Sequence, residues 1–133
     1  MTEQTVPMTT AFVAGATGLT GRFVVQHLCA LGVPVVAHIR PDSPRLDEWR
    51  ARFSAMGATP STGGWEAQAM ANELSRVQPS VVLGLLGTTK KKARRGGGDY
   101  QAVDYGLTAC LIDACLRLET RPRFVYLLSL IHI

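Results

Sequence analysis

Three glycines, Gly15, Gly18 and Gly21, stand at intervals of three in the stretch AGATGLTGRF, with Ala16, Thr17, Leu19 and Thr20 between them. A run of this kind brings main-chain N–H groups to the surface where no Cβ blocks approach, and that is the chemistry of holding a phosphate or diphosphate. Each glycine has its own physical reason. One at a strand end permits a tight turn, the middle one lets a diphosphate lie against the backbone, and the third lets the following helix pack close to the sheet. The competing explanation is a turn that merely redirects the chain, and the flanking elements decide between the two.

Those elements occur in the required order. Residues 10–14, TAFVA, form a short apolar run suited to a buried strand. The segment TGRFVVQHLCALG then places Phe23, Val24, His27, Leu28 and Leu31 at three- and four-residue spacing, and Gly32 is a natural helix stop. VPVVAHI, residues 33–39, reads as a second buried strand. The glycines therefore sit at the first turn of a strand–helix–strand unit of about 30 residues, the setting in which Gly15 to Gly21 bind a dinucleotide.

The end of the second strand selects between nucleotides. An acidic residue there accepts hydrogen bonds from the ribose hydroxyls of NAD. Here the chain reads HIRPDS, with Arg40 in that place and Arg45 within reach of the same turn. A guanidinium fork suits a 2′-phosphate, so NADP is the expected cofactor and NAD the alternative, with Asp42 as the residue still able to face the ribose.

The remaining chain continues the alternation. A helix carries Leu46, Trp49 and Phe53 on one side, residues 58–65 make a weak third strand, and EAQAMANELSRV is a helix. SVVLGLLG is a strong strand, TTKKKARRGGG a loop, and residues 99–119 a long helix with Val103, Leu107, Leu111, Ala114 and Leu118 in register and Ile112 and Cys115 widening its apolar face. RPRFVYLLSL reads as the last strand. Strands alternating with helices, each strand apolar on both faces, predict an α/β fold: a doubly wound, Rossmann-like parallel sheet of about five strands. No repeat or linker divides residues 1–133, so they form one unit.

Composition narrows the function classes. The chain is 47% hydrophobic and 18% charged, as in an ordinary globular protein. Its formal charge of +4 comes from Lys90, Lys91, Lys92, Arg94 and Arg95, without which the rest is near −1. The basic character is one loop, without interleaved aromatic residues, and does not imply nucleic acid as a partner; the loop either helps hold an anionic ligand or is solvated. Cys29, Cys110 and Cys115 have apolar neighbours and no paired spacing, which fits small buried side chains in a reducing cytoplasm. The first residues lack the pattern of a signal peptide, and no apolar stretch reaches the roughly 20 residues of a membrane span. His27 and His38 have no metal-ligand company and read as structural; no metal site is expected.

VAGATGLTGR resembles the nucleotide loop of the extended and atypical short-chain dehydrogenase/reductase superfamily. LGLLGTT (83–89) is similar to its fourth strand and following loop, which implies that Leu86, Gly87 and Thr88 run along the cofactor. AVDYGLTACLIDAC (102–115) resembles its V-N-x-x-G-T helix pattern with Asp104 in place of Asn, and RFVYLLSL resembles its fifth strand. The similarity runs from about residue 10 to 130 and looks closest to NmrA-like and Tat-interacting-protein-like oxidoreductases. Members commonly meet the adenine with an acidic residue after the third strand; here Trp65 and Glu66 stand there, and Trp65 either stacks on the adenine or belongs to the core.

The resemblance implies an NAD(P)-binding portion of an oxidoreductase, epimerase or dehydratase; the alternative is a non-catalytic NADP-sensing regulator acting through a protein partner. The superfamily's Tyr-x-x-x-Lys pair is missing, since Tyr100, Tyr105 and Tyr126 have no Lys four residues on, and Ser129 is the one candidate for its serine. The chain reads as truncated after the fifth strand, without a substrate lobe. Its last strands are then uncovered and open to self-association.

Overall fold

The computed structural model describes residues 9–86 and 100–127. In chain order the elements are β1 (Ala11–Ala14), α1 (Leu19–Ala30), β2 (Val35–His38), α2 (Leu46–Met56), β3 (Thr59–Ser61), α3 (Ala67–Val77), β4 (Val81–Gly84), α4 (Tyr100–Leu116) and β5 (Arg123–Tyr126). The strands form one sheet in the order β3-β2-β1-β4-β5, and every pairing is parallel. Parallel neighbours need long crossovers, which the helices supply. Strand order reverses at β1, where Ala11 pairs with Val35 on one side and Val81 on the other. The crevice at the carboxyl ends of β1 and β4 is thus the topological switch point, where open α/β sheets bind ligands.

Strand alternation builds two cores. Phe12, Val36 and Val82 face α3 and α4, where they meet Met70, Leu74, Leu111 and Ala114. Val13, Val35, Ala37 and Ile39 face α1 and α2, where they meet Val25, Trp49 and Phe53. Phe12, Phe53 and Leu74 are fully buried, each worth about 1.5–3 kcal/mol of transfer free energy.

Helix α1 does not present the face expected of it. Gly21 and Val25 are its buried residues, with Leu28 and Cys29 packed against the same core, whereas Phe23 is 55% and Leu31 77% exposed. His27 is also exposed, its Nδ1 2.9 Å from the Phe23 carbonyl. The close seating of Gly21 on the preceding loop sets the helix phase, and positions four and seven further on must then turn inward. In α4, Leu111, Ala114 and Cys115 are buried as expected, but Ile112 is exposed. The weak third strand shortens to three residues at the sheet edge. β5 departs from the expectation of strands apolar on both faces: it is an edge strand, and Val125, Tyr126 and Leu127 remain partly exposed.

Candidate functional site

Gly15 leaves β1 with a φ of 81°, and a Cβ there would lie 2.5 Å from the Leu85 carbonyl oxygen at the end of β4. The turn at this position therefore requires glycine twice over, by backbone conformation and by close approach. Gly21 is required as well, because its Cβ would lie 2.7 Å from the Ala16 Cα. Gly18 differs. Its backbone is extended (φ −73°, ψ 170°), and a Cβ would find only the Gly15 carbonyl oxygen, at an ordinary 3.5 Å. The fold tolerates a side chain there.

Gly18 is also the N-cap of α1. It provides no side-chain cap, and the first turn contains no acidic residue. The N–H groups of Leu19, Thr20 and Gly21, which have no partner within the helix, point out of the turn with the helix's partial positive charge. Leu19 and Thr20 are exposed and Thr17 half-buried. Ala16 is fully buried among the residues packed on α1 and α2, so it offers this mouth only its main chain.

Beside the turn, Thr17, Ile39, Arg40, Asp42, Ser43 and Pro44 line a cleft of about 360 Å³. Arg40 is half-exposed and lies 3.4 Å from the Asp42 carboxylate. Arg45, expected to share that turn, is committed elsewhere. It donates from Nε to Glu48 Oε1 (2.9 Å) and from a terminal nitrogen to Oε2 (2.6 Å), and its guanidinium sits 5.3 Å from the Trp49 ring centre. Helical spacing brings Glu48 to it, and a bidentate pair holds it there. Arg22 and Arg52 also lie over Trp49.

Leu86 is half-buried against the α3–α4 core. Gly87, Thr88, Ser129 and the basic segment 90–95 lie outside the described residues. Trp65 belongs to the core: it packs against the α3–α4 cluster and meets His38 edge-on at 5.1 Å, with its indole nitrogen buried and unpartnered. His38 is 2% exposed, and its Nε2–H donates to the Gly63 carbonyl at 2.7 Å. Burial pushes this imidazole below the ordinary histidine value. Nearby, Ser61 Oγ donates to Glu73 at 2.6 Å, and Arg76 holds the Glu73 carboxyl below the ordinary glutamate value. The sequence reading of His38 as structural did not anticipate this network; a histidine closing an otherwise apolar strand was its only trace. No group of three or more metal-ligating side chains occurs among the described residues. A hollow of about 430 Å³ between Gln78 and Glu119 lies at the opposite end of the strands, away from the glycines.

A glycine turn at the β1–α1 junction of a doubly wound parallel sheet, beside a cleft ending in arginine, defines a Rossmann-type dinucleotide-binding protein. The NAD dependent epimerase/dehydratase family matches residues 11–131, and the chain belongs to that family. Its nucleotide is accordingly a nicotinamide dinucleotide.

Among solved structures, a candidate epimerase from Burkholderia cenocepacia J2315 is 28% identical with a TM-score of 0.66, over 90% of this chain and 37% of its own. Leucoanthocyanidin reductase from Vitis vinifera, solved with NADPH, is 23% identical with a TM-score of 0.63, over 86% of this chain and 34% of its own. UDP-N-acetylglucosamine 4-epimerase from Bacillus cereus is 19% identical with a TM-score of 0.64, over 89% of this chain and 38% of its own. The last two share the fold. The chain thus spans little more than a third of the length of these structures. No functionally curated protein matches significantly. No described helix is long and apolar enough to cross a membrane.

Proposed function

We propose that residues 1–133 form the N-terminal, coenzyme-binding portion of an NAD(P)-dependent oxidoreductase, epimerase or dehydratase of the short-chain dehydrogenase/reductase type, and that NADP is preferred to NAD. The observation that carries this reading is Gly18. Packing and backbone conformation require glycine at 15 and 21, whereas the fold leaves room for a side chain at 18, and a ligand pressed against the main chain there would favour its absence.

In this reading the diphosphate lies over the N–H groups of Leu19, Thr20 and Gly21, with the Thr17 and Thr20 hydroxyls beside it and Ala16 contributing main chain. Arg40 takes the 2′-phosphate by a charge-assisted fork, after leaving Asp42. Leu86, followed by Gly87 and Thr88, lines the coenzyme's path past β4. The bound nicotinamide would supply hydride transfer, and this chain's own residues bind and orient it. Ser129 is assigned to the substrate side on resemblance alone. The NADPH complex of the leucoanthocyanidin reductase, a structural relative, is compatible with the preference.

Titrating NADP and NAD separately into the purified chain, followed by calorimetry, tests the proposal. The expected result is NADP binding about tenfold more tightly, the worth of one charged hydrogen-bond pair. Tighter binding of NAD overturns the preference; binding of neither overturns the coenzyme reading.

A further inference from the structure

We propose that His38 is a positioning residue for the adenosine end of the coenzyme site, pinning the turn after β3 to the end of β2 through its bond to the Gly63 carbonyl. The inference rests on the dinucleotide reading above.

His38 is the last residue of β2, two before Arg40. Its ring lies on the sheet face opposite the α1–α2 core, between Phe12 at 5.9 Å and Trp65 at 5.1 Å. An apolar side chain would fill that space without the expense of burying two ring nitrogens. What the imidazole adds is a donor aimed at one carbonyl, 2.7 Å away, in the turn that follows β3. Its neighbour Ile39, which lines the cleft, donates its N–H to the Ser61 carbonyl at 2.7 Å. The last residue of β2 and the one after it therefore tether residues 61–63.

That turn needs tethering. Residues 62–64 read Thr-Gly-Gly and have no regular secondary structure. Glu73 backs them from α3: a Cβ on Gly63 would lie 3.0 Å from the Glu73 side chain, and Ser61 Oγ donates to the Glu73 carboxylate. The turn is thereby clamped between His38 and Glu73. It leaves the sheet at the carboxyl edge of β3, the same edge as the glycine turn and the Arg40 cleft. An adenosine group reaching past β2 has this backbone as its far wall.

Burial favours a neutral ring at this site. It opposes a charge on His38 and outweighs the bond to the Gly63 carbonyl and Glu73 on α3, which favour one; Arg40, two residues past the strand, adds to the opposition. Phe12 from β1 and Trp65 from the turn contribute no charge. Acid that charges the ring places an imidazolium in a buried site, and relief comes by opening that site to water, which displaces the turn packed over it.

Two variants of the whole chain test this: His38→Gln, which keeps an N–H donor and does not titrate, and His38→Leu, which removes the donor. NADP affinity is measured from about pH 5 to about pH 8, with thermal unfolding alongside. Near neutral pH, His38→Gln is expected to bind within about twofold of the parent and His38→Leu about five- to tenfold more weakly. The ratio of parent to His38→Gln affinity cancels the ligand's own phosphate titration. It should be flat above neutrality and fall on the acid side. A ratio that is constant with pH overturns the proposal, as does a His38→Leu variant that melts earlier yet binds NADP like the parent. If His38→Leu does not fold, the ratio alone decides. A parent chain that binds neither NADP nor NAD defeats the coenzyme reading, and this inference with it.

Discussion

Gly21 closes directly on Gly15: a Cβ on Gly21 would collide with the Gly15 carbonyl oxygen, so the first turn of α1 rests on the loop that leads into it. Gly18, between them, carries no such constraint. Gly21→Ala and Gly18→Ala should therefore fail in different ways. Gly21→Ala is expected to destabilise by about 1–3 kcal/mol, as overpacking against rigid backbone does, and to lower the melting temperature by several degrees. Gly18→Ala should melt like the parent and bind NADP about ten- to a hundredfold more weakly. Thermal melts and calorimetric titrations of both variants read this out; a Gly18→Ala protein with parental affinity would end the assignment of the diphosphate to this turn.

Arg40 and Asp42 set a second contrast. Arg40→Ala should cost NADP binding about 1.5–3 kcal/mol, the value of a charged hydrogen-bond pair, and leave NAD binding almost unchanged. Asp42→Asn frees the guanidinium from its 3.4 Å partner and removes a carboxylate from the cleft, so NADP should bind several-fold more tightly. Arg45→Ala should leave NADP affinity unaltered, because Glu48 and Trp49 already hold that side chain. If Arg45→Ala and Arg40→Ala weaken NADP binding equally, the cleft has been misassigned.

Acid stability follows from two groups. The folded state keeps His38 neutral below the pH at which an unfolded histidine, near 6.5, takes up its proton. The unfolded chain then binds more protons, so stability falls as pH drops from about 6.5 toward the lowered folded value and is complete above that window. Glu73 adds a second loss lower down. Its carboxyl is held low first by the Arg76 hydrogen bond and then by Ser61, and that stability disappears as pH falls from the ordinary glutamate value near 4.5. Melting temperature measured against pH should show both steps in the parent and only the lower one in His38→Gln. A parent whose melting temperature is level down to about pH 5 contradicts this reading of His38.

The thiols should separate by reactivity. Burial pushes Cys115 up to about 11, and it lies on the core-facing side of α4. Cys29 and Cys110 are also raised, chiefly by burial, but remain partly accessible. Alkylation with iodoacetamide, followed by mass spectrometry, should mark Cys29 and Cys110 well before Cys115. Early labelling of Cys115 would mean that α4 opens readily.

Much of the fold was legible in the sequence, because long-range packing asks little of it beyond apolar strands and helix stops. The runs at 10–14 and 33–39 became β1 and β2, and Gly32 and Gly57 ended their helices. The face of α1 was not legible. Spacing alone favoured Phe23 and His27, and it took a steric fact, the seating of Gly21 on Gly15, to turn Val25 inward instead. In the candidate site, the glycine turn and Arg40 were readable as local patterns. The commitment of Arg45 to Glu48 was not, because it depends on where α2 begins. The bond from His38 to Gly63 links residues far apart in sequence, and periodicity carries no trace of it.

The contact between Gly15 and Leu85 also bears on how the molecule is made. β1 leaves a ribosome well before the neighbour that braces its terminal turn, β4, which is synthesised only after three further helices and two further strands. A nascent chain lacking β4 has the glycines without the wall that shapes them. On the proposed placement of the coenzyme at this turn, its capture waits until the central pair of strands has docked.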